Sequence, residues 1–261
     1  MTSRIFTWED TPQLSIIGIL VAFSLPSAGG FVFFHLILPA LVDADLPVLV
    51  AYSLVAGTGL FIILAAGFLL MRREAASLGI PLTSRMAFQR MPRGRALIAG
   101  GILLLGFVLA AGALQLVVPL VDALRFTIPD YMPFFLNPGI DPTTLDMEIL
   151  SPGLDLEGAY FVFPLVGVVL LFNILAEEFY FRAWMLPKLV KYGRWSWVIN
   201  GTMFALYHTF QLWLFPTLIV AGLTFAFVFY WTRSLWPGLI GHLVFNFLIS
   251  MVGVGSLIVG Y

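Results

Sequence analysis

Apolar stretches of about 20 residues recur along this chain from near one end to the other. A stretch of that length crosses the hydrocarbon core of a bilayer as a helix. In lipid the backbone must satisfy its own hydrogen bonds, so a series of such stretches folds as a bundle of spanning helices. Seven candidate spans lie at about 14–41, 47–71, 97–120, 159–187, 195–215, 217–232 and 236–259, with a plausible range of six to eight. The composition agrees: 61% of residues are hydrophobic and 10% charged, against about 25% charged in soluble domains. The expected fold is all-α, a polytopic transmembrane bundle forming one integral membrane domain over 1–261. The first span is expected to be kinked or split at Pro26-Ser27-Ala28-Gly29-Gly30. The segment before it is not basic, because Glu9 and Asp10 outweigh Arg4. An uncleaved span is therefore expected rather than a signal peptide.

Cysteine is absent, which excludes disulfides, thiolate metal sites and a cysteine nucleophile. A net charge of −1 without a basic tail gives no reason to expect a nucleic-acid partner. Lys and Arg are unevenly placed. Arg72, Arg73, Arg85, Arg90, Arg93 and Arg95 fall between spans two and three; Lys188, Lys191 and Arg194 between four and five; Arg233 between six and seven. The other side holds Asp43 and Asp45, then a proline-rich acidic loop over 121–158 in which Arg125 is the only basic residue. The positive-inside rule puts the N-terminus in the cytoplasm. The arginine-rich 72–95 segment reads as a positive-inside loop or an interfacial helix touching anionic lipid. Short loops suit a bacterial or archaeal plasma membrane.

Few ionisable groups remain within the spans: His35, Glu177, Glu178, Arg182, His208 and His242. A charged group at mid-bilayer costs about 2.5–3.5 kcal/mol on insertion scales and usually faces a partner or a cavity. Counted from the cytoplasmic charges, Glu177, His208, His242 and Asn246 lie at roughly 16, 21, 13 and 20 Å depth, at 1.5 Å per residue. Three spans thus bring polar groups to a similar level. His35 falls near the outer face and reads as an interfacial or hydrogen-bonded histidine. Glu178 and Arg182 are four residues apart, which predicts an ion pair on one helix face. Glu177 points elsewhere and is left without a partner on its own helix, as a general base would be. His242 and Asn246 share one face, and Phe204 and His208 another.

A carboxylate beside a histidine can hold and deprotonate water, while a second histidine and an asparagine can donate to a developing oxyanion. That set suits hydrolysis of a peptide carbonyl. Glu177, His208 and His242 are also candidate Zn²⁺ ligands, although H-E-x-x-H, the familiar helical zinc-hydrolase pattern, is absent. Two other readings remain. One is a proton-coupled carrier, against which the absence of an internal repeat counts. The other is a scaffold whose polar residues merely hold helices together.

The same residues carry a family resemblance. AEEFYFR, 176–182, resembles the E-E-x-x-x-R motif of the CPBP intramembrane proteases, which include the type II CAAX prenyl endopeptidases and relatives linked to bacteriocin immunity. FALYH, 204–208, is similar to their F-x-x-x-H motif, and HLVFN, 242–246, to their H-x-x-x-N motif. SLWPGLIGH, 234–242, is similar to the usual lead-in to the third motif. Order and spacing agree over about 160–250, the CPBP-like catalytic region. The resemblance implies that Glu177 activates water and His208 orients it. It implies that His242 and Asn246 form an oxyanion hole, and that Glu178, Arg182 and Phe204 support the site. It implies a membrane-anchored protein or peptide substrate near the cytoplasmic leaflet, of which a prenylated CAAX tail is one form. It leaves the metal requirement open, since both metallo- and glutamate-dependent mechanisms have been described. A non-catalytic scaffold or bacteriocin-immunity-type binding protein is the alternative.

Overall fold

The structure, a computed structural model, describes residues 6–140, 152–155, 157–250 and 258. Asp141, Asp146 and Glu148 of the acidic loop, Arg4, and most of the expected last span beyond residue 250 lie outside these.

Among the described residues seven helices make up the bundle: α1 (Ile16–Val42), α2 (Val48–Leu78), α3 (Arg93–Leu124, jogged at Gln115-Leu116), α4 (Val162–Ala176, continued by a wide π turn Glu177–Met185), α5 (Ser196–Tyr207), α6 (Phe215–Thr232) and α7 (Trp236–Ser250). Five runs are long and apolar enough to cross a membrane, and α7 is a shorter apolar helix. One of the five is the continuous 46-residue run Val162–Tyr207, which includes both α4 and α5. It bends at Gly193, whose φ of 58° and ψ of −134° lie where only glycine sits without strain. Only 22–33% of the most apolar window of each long run is buried. Most of that surface therefore faces outward, as the lipid-contacting face of an integral membrane protein does.

Two expectations about the spans change. The first span is not broken at Pro26: α1 runs through it and widens instead at Phe33–Ile37. Proline removes the N–H that would serve the carbonyl four residues back, here that of Ala22. The Tyr180 hydroxyl donates to Ala22 O at 2.8 Å and replaces the lost bond. The second span does not end near 71. α2 has 31 residues, roughly 46 Å at 1.5 Å per residue, and so outruns a core of about 30 Å. Arg72, Arg73 and Glu74 ride on this overhang. The 72–95 segment is then not one interfacial helix but the end of α2, a short turn Leu82–Arg85 and the start of α3.

Arg85 and Lys188 are buried rather than loop-exposed. Arg85 gives two hydrogen bonds to Glu74 Oε2, at 2.8 and 2.6 Å. It also donates to the carbonyls of Ala183 and Trp184 at 2.7 and 3.1 Å. Pro187 lacks the N–H that Ala183 O would meet in a regular helix, and the guanidinium takes its place. Burial pulls the Arg85 guanidinium down from its ordinary range, and Glu74 opposes that shift. Lys188 pairs with Glu74 from the opposite side. The N-terminal strap closes this end of the bundle. Thr11 and Gln13 donate to Pro187 O, and Leu14 N–H to Lys188 O. Trp8 stacks on Phe229 beneath the Arg233 guanidinium.

Candidate active site

Each polar residue of the three sequence motifs reaches the same interior region, from α4, the end of α5 and α7. Glu177 and Glu178 open the wide turn of α4, and both are buried, as are Arg182 and His208. His208 stands where α5 stops: its ψ of 46° leaves the helical region. Its Nδ1 lies 2.8 Å from the carbonyl of Phe204. A carbonyl only accepts, so Nδ1 carries the proton and Nε2 is free to accept. That Nε2 lies 3.7 Å from Glu177 Oε1.

His242 is arranged in parallel. Its Nδ1 lies 3.3 Å from Glu178 Oε1, and its Nε2 lies 3.7 Å from Glu177 Oε2. Glu177 therefore offers one oxygen to each imidazole. Asn246, one turn after His242, is linked to Glu177 through Asn173. Its amide donates to Asn173 Oδ1 at 2.8 Å, and Asn173 Nδ2 donates to Glu177 Oε1 at 2.9 Å.

Two details differ from the sequence expectations. Glu178 and Arg182 do not form the expected ion pair within 4 Å. Glu178 turns one oxygen to His242, while its Oε2 and Arg182 Nε have no hydrogen-bond partner. The wide turn re-aims the two side chains relative to a regular helix. Arg182 lies over the Phe204 ring at 4.3 Å and donates to Asn200 Oδ1 at 3.2 Å. Asn200 Nδ2 in turn donates to the Phe181 carbonyl. Phe204 thus supports the site twice, through its carbonyl to His208 and its ring to Arg182. Glu177 is not without a partner on its own helix either, since Asn173 lies one turn before it. Sequence reasoning missed Asn173 and Asn200. A polar residue four positions before Glu177, in a run otherwise free of hydrogen-bonding side chains, was the available signal for the first. His35 stays apart, with its Nδ1 2.9 Å from the Tyr131 hydroxyl.

The donor types at the centre, one carboxylate and two imidazole nitrogens with free lone pairs, fit a divalent metal. Both outer ring nitrogens are already fixed by a carbonyl and a carboxylate, as metal-bound histidines usually are. Among the described residues, however, no group of three or more His, Cys, Asp or Glu side chains is drawn together as a metal site. The same groups can hold a water molecule, with Glu177 Oε1 and His208 Nε2 as its two acceptors.

Comparison with known proteins addresses the same segment. A family model described as type II CAAX prenyl endopeptidase Rce1-like matches residues 159–248. No curated protein and no solved structure matches the chain. The matched residues run from just before α4 into α7 and include Glu177, His208, His242 and Asn246, so over 159–248 the chain is similar to the Rce1-like type II CAAX prenyl endopeptidases.

Proposed function

We propose that the chain is an intramembrane endopeptidase that cleaves a peptide bond in a membrane-anchored protein or peptide, prenylated CAAX-type tails among them. The observation that carries this is the placing of Glu177, with one oxygen toward His208 and the other toward His242. The similarity of residues 159–248 to a CAAX protease family supports the reaction class.

Water sits beside Glu177 Oε1 and His208 Nε2 and donates a hydrogen to each. As its oxygen bonds to the substrate carbonyl carbon, Glu177 takes a proton, and the carbonyl oxygen becomes an oxyanion. His242 Nε2–H and the second N–H of Asn246 stabilise that oxyanion. In this role Nδ1–H of His242 donates to Glu178 and its Nε2–H to the oxyanion. The C–N bond then breaks, and Glu177 passes its proton to the departing amine. A divalent ion at Glu177, His208 and His242 would supply Lewis acidity and a more acidic water, but among the described residues these side chains are not drawn together as a metal site.

Glu177→Ala removes the proton acceptor. In cells making equal amounts of the native chain or this variant, new membrane-protein termini are expected only with the native chain. Equal terminus profiles, with the cellular phenotype kept in Glu177→Ala, would overturn the proteolytic reading in favour of a scaffold. Chelator treatment of the purified chain, followed by metal readdition, separates the two water-activation schemes: full activity in metal-free protein is the outcome expected here.

A further inference from the structure

We propose that Asn173 is a positioning residue that aims both the Glu177 carboxylate and the Asn246 amide; its catalytic meaning rests on the proteolytic reading above. Asn173 belongs to none of the three sequence motifs. It lies one turn before Glu177 on α4, half-buried, and is hydrogen-bonded at both ends. The direction of this chain is fixed chemically. An ionised Glu177 can only accept, so Asn173 must present its amide nitrogen there. Its carbonyl oxygen is then left to face α7, where it can only be met by a donor, the Asn246 amide nitrogen. One N–H of Asn246 is thereby engaged. Its other N–H is held in a set direction and remains the free donor for an oxyanion. Asn173 therefore sets how Glu177 and Asn246 are presented, through one side chain bridging two helices.

The groups around Glu177 are His208 and Tyr207 at the end of α5, His242 on α7, Tyr52 on α2 and Arg182 on its own turn. Asn173 gives Glu177 a hydrogen bond of 2.9 Å. Loss of Asn173 frees both the carboxylate and the Asn246 amide to turn away from the reacting carbonyl, which lowers kcat, whereas a merely structural asparagine would alter stability and leave the turnover of the folded chain alone.

The test uses the full chain in detergent micelles. Its readout is cleavage of an internally quenched peptide bearing a farnesylated C-terminal CAAX tail. Asn173→Ala is expected to lower kcat by up to about 100-fold, as small misplacements of reacting groups do, with KM nearly unchanged, and Asn173→Leu should repeat the split. A native kcat in the folded Asn173 variants overturns the proposal. No cleavage by the native chain would sink the proteolytic reading, and with it the catalytic meaning of Asn173. A lowered kcat for Glu177→Ala with a native kcat for Asn173→Ala would sink the positioning role alone.

Discussion

Two prolines show how single residues shape this molecule. Pro26 and Pro187 each leave a carbonyl without its helical partner, and in each case a distant side chain supplies it: Tyr180 for Ala22 and Arg85 for Ala183. The repairs tie α1 and the Leu82–Arg85 turn to the segment that carries Glu177. Tyr180→Phe keeps the ring, with its edge-on contact to Phe181 and tilted contact to Trp184, and removes only the donor. It is expected to cost about 0.5–1.5 kcal/mol, read by unfolding in mixed micelles. A stability equal to the native chain's would mean that Ala22 O finds another donor. The repairs were not legible in the sequence, because the donors lie more than 90 residues from the carbonyls they serve. The motif residues were legible for the opposite reason. His242 and Asn246, or Phe204 and His208, are one turn apart, and helix geometry alone puts each pair on one face.

At the level of elements, the wide turn 177–185 made the chief difference from a regular-helix reading. Hydrophobic spacing cannot report a π turn, because every residue around it is apolar or already exceptional. Counting at regular pitch therefore placed Glu178 opposite Arg182, whereas the turn delivers Glu178 to His242 on α7. The α5–α6 contact has a simpler basis. Gly201 and Gly222 let the two backbones meet, and a Cβ on Gly201 would stand 2.7 Å from Leu223 Cα. Small residues permit such close approach between membrane helices. Because the obstacle is backbone rather than a mobile side chain, Gly201→Ala must push α5 away from α6. The expected cost is about 1–3 kcal/mol. His208 ends α5, so the thermal midpoint in detergent and the cleavage rate should fall together. A variant as stable as the native chain would show that α5 and α6 do not meet this closely.

Across the whole molecule, charge is divided between two ends. Arg72, Arg73, Glu74, Arg85, Arg90, Lys188, Arg194 and Arg233 gather with the N-terminal strap, tied by the Glu74 cluster and the Trp8–Phe229–Arg233 stack. Asp43, Asp45, Asp122 and Glu157 lie at the ends of helices that point the other way. For a bundle with this division the positive-inside rule expects the basic end and the N-terminus in the cytoplasm. The native chain contains no cysteine, so single-cysteine variants report position without background. Asp43, Arg90, Glu157 and Arg194 are exposed and suit the purpose. In intact cells a membrane-impermeant maleimide is expected to label Asp43→Cys and Glu157→Cys. Arg90→Cys and Arg194→Cys should react only after permeabilisation. The reverse pattern would invert the orientation and open the site to the outside. Labelling of Arg90→Cys and Arg194→Cys from opposite sides would break the bundle itself, because the Arg85–Glu74–Lys188 cluster holds their segments at one end.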